Sequence, residues 1–159
     1  MEFRELRRFK QKMTDDVAFS LLEKEKRAVL AVNGDNGYPY AIPVDYHYDR
    51  ATGKILIHGA KAGHKYDSIA RDDRVCFTVY GNEQSVDGDW APQLDSVVVF
   101  GRCRLVDDEQ ETAELAKKVG LKYYPTEEAV DNIIEETLSR IQIYEITIEH
   151  ISCKRIHER

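Results

Sequence analysis

The residues best equipped for chemistry lie together in Lys54-Ile55-Leu56-Ile57-His58-Gly59-Ala60-Lys61-Ala62-Gly63-His64-Lys65. An apolar run of strand type passes straight into a loop, and the stretch carries two glycines, two histidines and, in the loop, two lysines. No acid follows until Asp67, so this is a basic island in a chain of net charge -6. Glycines let backbone N–H groups turn toward a ligand, and lysines supply cationic donors. That chemistry suits a phosphate or another anion. The competing reading is a solvated turn after a strand, and the residues alone leave both open.

Other chemistries fit less well. The glycine and lysine spacing departs from the nucleotide pattern G-x-x-x-x-G-K-[ST], and Tyr66 stands where a metal-binding hydroxyl belongs. His58 and His64 have no carboxylate or cysteine at ligand spacing, and His47, His150 and His157 are scattered, so no metal is expected. There is no G-x-S-x-G elbow, and no cysteine stands beside a histidine.

The elements that must position the loop read from patterning and punctuation. Thr14-Asp15-Asp16 supplies a capping hydroxyl and acids at a helix start, with the helix running to about Lys26. Arg27 to Asn33 is a strand, Gly34-Asp35-Asn36-Gly37 a turn of Asn-Gly type, and Tyr38 to Tyr48 a second strand. Pro39 and Pro43 place that second strand at an edge or bulge, because proline cannot donate to a ladder. Lys54 to His58 is a third strand, His64 to Asp72 a short helix and Arg74 to Gly81 a fourth strand. Asn82 to Leu94 reads as a long polar loop carrying the single tryptophan, Trp90. Asp95 to Val106 is a fifth strand, with both faces buried over Ser96-Val97-Val98-Val99-Phe100 because nothing there alternates. Asp107 to Gln110 has capping character, and the helix it opens is expected to close at Gly120. A further helix starts at Pro125-Thr126-Glu127-Glu128, with Val130, Ile134, Leu138 and Ile141 on one stripe. Gln142 to Ile151 is the sixth strand.

Strands at hairpin spacing, without a helix between each pair, point to an antiparallel barrel with helices around it. A chain of 159 residues, 42% hydrophobic and 33% charged, suits a single domain over 1–159. The acidic balance, with a pI near 5.4, argues against nucleic acid as partner. No apolar run approaches a membrane span, and Met1 to Arg8 has no apolar signal core. Cys76, Cys103 and Cys153 are odd in number and far apart, the usage of core thiols in a reducing compartment. A cytoplasmic location is expected.

The order of the pieces resembles the flavin-binding split-barrel family related to pyridoxamine 5'-phosphate oxidase, and within it the nitroimidazole-resistance (Nim-type) branch. The matching stretches are Arg8 to Met13, Gly37 to Tyr46, Ile57 to Lys65, Val75 to Tyr80 and Val98 to Arg102. The resemblance implies a mainly β protein with flanking helices, an antiparallel six-stranded split β-barrel. It implies a homodimer with two FMN molecules at the interface, and a flavoprotein reducing a small organic acceptor such as a nitroaromatic compound. Pro43, Val44, Asp45 and Tyr46 then lie along the isoalloxazine ring, with His58 and Ala60 beside it. Lys61, Gly63, His64 and Lys65 hold the phosphate, Phe100 and Gly101 come close from the fifth strand, and Trp90 covers the flavin from the partner subunit. His58 is the candidate catalytic residue, as proton donor or orienter; its structural alternative is a strand-end histidine bonded to the backbone. NADH or NADPH is the expected donor. A protein of this fold that holds flavin or haem without turnover is the alternative. Vitamin B6 oxidation is disfavoured, since Lys154 to Arg159 does not match the arginine-bearing end of the true oxidases.

Overall fold

Alternation sets the first strand. In β1, Arg27–Asn33, the side chains of Ala28, Leu30 and Val32 turn inward and are buried, while Arg27, Val29 and Asn33 face out. The computed structural model describes residues 2–157 apart from Val86 and Asp89. After β1 the chain reverses through Asn36 (φ 56°) and Gly37 (φ 78°), both in the left-handed region that an Asn-Gly turn uses. The return strand β2, Pro39–Asp49, pairs with β1 from Asn33↔Pro39 to Arg27↔Asp45. Beyond Asp45 it changes partner and pairs with β3, Lys54–Ala60, from Tyr46↔Ile57 to Asp49↔Lys54.

Strands β4 (Arg74–Gln84), β5 (Gln93–Val106) and β6 (Ile141–Ile156) complete a closed antiparallel barrel in the order β1-β2-β3-β6-β5-β4. Closure removes any free edge from the sheet as a whole. The proline-bearing half of β2 is nevertheless paired on one side only, because the ladder to β3 begins at Tyr46. The sheet splits there, and Pro43 needs no donor on its open side.

Inside the barrel, Leu30, Tyr46, Ile55, Ile57, Phe77, Val97, Val99, Tyr144 and Ile146 are fully buried. Helix α1, Asp15–Lys24, buries Ala18, Leu21 and Leu22 against β2, β4, β5 and β6 and so plugs one end. Thr14 occupies its N-cap, but the hydroxyl makes no capping bond; the Thr14 carbonyl accepts from Val17 and Ala18 instead. Helix α2, His64–Arg71, follows β3. Helices α3 (Glu109–Tyr123) and α4 (Glu127–Thr137) form a hairpin between β5 and β6, with α3 across the outside of β2, β3 and β6. The Asp108 carboxylate caps α3 by accepting the Glu111 N–H at 2.7 Å.

Several boundaries differ from the sequence reading. The loop after β4 shrinks to 85–92, because Asn82–Gln84 and Gln93–Leu94 continue the ladder; Val86 and Asp89 lie outside the described residues. Gly120 does not end α3. It lies inside the helix, where a Cβ would stand 2.7 Å from Val130 Cγ1, so its missing side chain lets α4 approach. Ile141 is the first residue of β6 rather than the end of a helical stripe. Burial on both faces holds for Ile55-Leu56-Ile57, which α3 covers, and on β5 for Asp95-Ser96-Val97, but it does not extend to Phe100. Val98 and Phe100 face outward and stay partly open, alongside Val29, Ala31, Cys76, Thr78 and Tyr80. The three cysteines are free thiols. Among the described residues, no helix is long and apolar enough to cross a membrane.

Candidate functional site

Where β2 and β3 part, three pieces of chain face one another: Pro43–Asp45 of β2, His58–Ala60 of β3, and the Lys61–Gly63 loop leading into α2. The backbone of Pro43–Asp45 has no ladder partner on the β3 side, so its polar groups there are available to a ligand. Strand pleating fixes what else can touch one. The Val44 and Tyr46 side chains point into the core and are buried, whereas Asp45, His58 and Ala60 point outward. Of the segment Pro43 to Tyr46, a ligand meets the backbone and the Asp45 carboxylate.

Lys65, in the first turn of α2, is turned inward. Lys65 Nζ lies 4.3 Å from the centre of the Tyr144 ring, and the Tyr144 hydroxyl donates to the Ala60 carbonyl at 2.7 Å. Gly59 makes room for this: a Cβ there would come within 2.8 Å of Lys65 Nζ. Burial lowers the Lys65 pKa, and no carboxylate faces it among the described residues; the Cys103 thiol is the only counterweight. Burial holds Cys103 protonated, its pKa pushed up to about 12. A half-buried ammonium without an anionic partner is poised to take one from solution.

Gly63 caps α2 with φ 102°, a conformation that favours glycine, and open space surrounds it. His64 is already engaged. Its ring stacks on Tyr40 at 4.0 Å, and Nε2 accepts the Asp35 N–H at 3.3 Å, tying α2 to the β1–β2 turn. Lys61 is exposed beside it. His58 keeps much of its surface open, yet the neighbouring helices withdraw water from the imidazole. That burial lowers its pKa, with Asp45 pulling up and Lys65 pulling down. The ring is therefore neutral at pH 7, able to donate from one nitrogen and accept at the other.

Sequence reasoning missed the tyrosine that joins β2 to the start of β1. The Tyr123 hydroxyl, from the last turn of α3, accepts the Tyr46 N–H at 2.8 Å and reaches the carbonyls of Tyr46 and Lys26, each at 2.6 Å. It bridges the place where β1 has not yet begun and β2 changes partner. Its neighbour Lys122 lies 4.2 Å from the Tyr46 ring centre, where burial lowers its pKa to about 8. The Tyr46 hydroxyl is buried without a hydrogen-bond partner. Adjacent aromatic residues at the end of an amphipathic helix, Tyr123-Tyr124, were the one available signal.

The remaining expected residues lie elsewhere in the same chain. His58 pairs with Ile143 of β6, whereas Phe100 pairs with His150; seven residues along a strand separate these positions by roughly 23 Å. Phe100 is stacked under Phe3, centroids 5.7 Å apart. Gly101 sits at a bulge where a Cβ would meet the Thr147 carbonyl at 2.3 Å. Trp90 is 85% exposed on its loop. In the C-terminal segment, Arg155 is committed to the buried Asp95 through bonds of 2.8 and 3.0 Å; Glu158 and Arg159 lie outside the described residues. A separate groove at Glu23, His47, Asp49 and Lys118 is polar, and its charges pair among themselves, Lys118 with Asp49 at 2.6 Å. No cluster that could hold a metal ion occurs among the described residues.

A closed six-stranded antiparallel barrel, split between β2 and β3 beside a basic glycine loop, defines the class: a split-barrel protein. Residues 14–155 match the family model described as pyridoxamine 5'-phosphate oxidase, and the chain belongs to that family. Solved structures repeat the fold at low identity. The flavocytochrome Anf3 from Azotobacter vinelandii superposes with a TM-score of 0.79 at 19% identity, covering 96% of this chain and 73% of that one. A putative 5-nitroimidazole antibiotic resistance protein from Bacteroides thetaiotaomicron gives 0.75 at 14%, covering 91% and 86%. A FAD-binding protein from Mesorhizobium loti gives 0.63 at 19%, covering 92% and 96%. No curated protein matches the sequence.

Proposed function

We propose that this protein is a cytoplasmic FMN-binding oxidoreductase, a homodimer that passes electrons from NADH or NADPH to a small organic acceptor of nitroaromatic type. The observation that carries the reading is the split itself: unpaired β2 backbone opposite His58, beside a half-buried lysine that no carboxylate faces among the described residues. Flavin fits that donor set. Lys65 and Lys61, with the N–H groups after Gly63, suit its phosphate, and the open backbone of Pro43–Asp45 suits the polar edge of its ring. Bound flavin supplies a reversible two-electron, two-proton couple. The chain orients the acceptor and relays protons, and His58, neutral and open to solvent, is the residue equipped to do so.

Two further features favour the dimer. The outward face of β1, β4 and β5 is apolar, with Val29, Tyr80 and Phe100 each 40% exposed or more. Phe100, Gly101 and Trp90 can reach a site at His58 only from a second copy. The relatives named as a flavocytochrome, a FAD-binding protein and a nitroimidazole-resistance protein support a flavin and a nitro acceptor. The test is an absorption spectrum of the purified protein, acid release of the cofactor and sedimentation. Flavin bands, FMN rather than FAD on release, and a dimer are expected. A protein that takes up no flavin would overturn the reading, and a Soret band would favour a haem-holding protein of the same fold.

A further inference from the structure

The α3–α4 hairpin does not lie flush on the barrel. Between it and the outer faces of β2 and β3 is a cleft of about 460 Å³, walled by Val119, Val130, Ile133 and Ile134 among other apolar groups. That volume suits a small molecule. Its two layers, helices above and sheet below, shape it as a slot for something flat. Its polar groups are few, and two are spent: the Tyr123 hydroxyl on Tyr46 and Lys26, and Thr137 Oγ1 on the Ile133 carbonyl at 2.5 Å. The Asp45 carboxylate is held by Arg27 at 3.1 Å, which leaves the His58 imidazole and Tyr124. Among the described residues, no lysine or arginine lines the cleft.

We infer that this cleft is the acceptor site, and that it takes flat, uncharged, mainly apolar ring compounds while rejecting anionic ones. Apolar walls give no return for desolvating a charged ligand. The one acid of the lining, Asp45, is already paired with Arg27, and among the described residues the lining offers an anion no cation of its own. The phosphate-seeking Lys65 faces the Tyr144 ring instead. Charge thus sorts the two ligands, anionic cofactor to the basic loop and neutral acceptor to the apolar slot, whose one acid is paired. That the occupant is an electron acceptor rests on the proposed flavin chemistry; that it binds here does not.

The probes are 4-nitrotoluene and 4-nitrobenzenesulfonate, similar in shape and different in charge. Equilibrium dialysis of the full chain, as purified and stripped of flavin, measures both. The neutral compound should bind in either form, and the sulfonate about tenfold more weakly. Asp45→Asn should narrow that gap to about threefold. Ile133→Trp, which fills the slot, should weaken the neutral compound about tenfold or more, and Ile133→Phe, a smaller filling, serves if the tryptophan variant does not fold. If flavin is taken up but 4-nitrotoluene is not, or the filled variants bind it unchanged, the inference is overturned and the flavin reading stands. An equal affinity for both probes also overturns it. If no flavin is ever taken up but the neutral probe binds with this selectivity, the proposed function falls and the cleft stands.

Discussion

Replacing Lys65 by methionine separates phosphate anchoring from the stability of the fold. In the native protein the ammonium lies 4.3 Å from the centre of the Tyr144 ring, and burial lowers its pKa with no carboxylate opposite among the described residues. Methionine keeps an unbranched stem of similar reach, so the ring stays covered. The change forfeits a cation–π contact worth about 1 kcal/mol and relieves a desolvation cost of the same order. The ligand-free fold should therefore shift by less than about 1 kcal/mol. A charge-assisted hydrogen bond to phosphate contributes about 1.5–3 kcal/mol, and its loss corresponds to roughly 10- to 150-fold in Kd. Flavin fluorescence titrations with FMN and with riboflavin, which lacks the phosphate, read this directly, and urea denaturation reads the fold. FMN should weaken by that factor while riboflavin stays the same. Equal weakening of both, or of neither, would refute the placement of the phosphate at Lys65.

Tyr123→Phe removes the hydroxyl that serves Tyr46 and Lys26; leaving those backbone groups unpaired should cost about 1–3 kcal/mol in denaturant unfolding, and a change below about 0.5 kcal/mol would mean the bridge is dispensable. The folded His58 pKa lies below its ordinary 6.5, so the unfolded chain binds that proton more readily. Stability should rise with pH from the folded midpoint up to about 6.5 and then level off. An NMR titration of the ring should show Asp45→Asn lowering the midpoint further, because the carboxylate now raises it; an unmoved midpoint would disprove their coupling. Gly120→Ala gains about 1 kcal/mol of helix propensity but drives a methyl to 2.7 Å from Val130 Cγ1. A net loss of about 1–2 kcal/mol is expected, and Val130→Ala should cost less in the Gly120→Ala background than alone, as a double-mutant cycle would measure.

Much of the barrel was legible because local rules and the tertiary fold agree. The strand Arg27–Asn33 has the bounds its alternation implies, and Asn36 and Gly37 take the positive φ that their types favour. Where the two disagreed, packing prevailed. Gly120 reads locally as a helix stop, yet α3 runs through it because α4 must come close. The polar stretch Asn82–Gln84 reads as loop, yet β5 offers it a ladder. The valines of β5 read as doubly buried, yet within one chain nothing covers Val98 and Phe100 fully.

By itself the sequence determined the inventory of the candidate site: a strand carrying His58, a glycine-bearing basic loop and a proline-interrupted partner strand. Those are properties of residue type and spacing, and they survive any folding. Only the tertiary structure decided what meets what. Barrel closure turned Val44 and Tyr46 inward and left Asp45 and His58 outside. It laid Lys65 against Tyr144, brought Tyr123 to a backbone 77 residues away, and set Phe100 far along β6 from His58. Contacts of that kind depend on the register of strands distant in sequence. One residue of slip would exchange the two faces, and no local pattern in the basic loop encodes which ring its lysine will find.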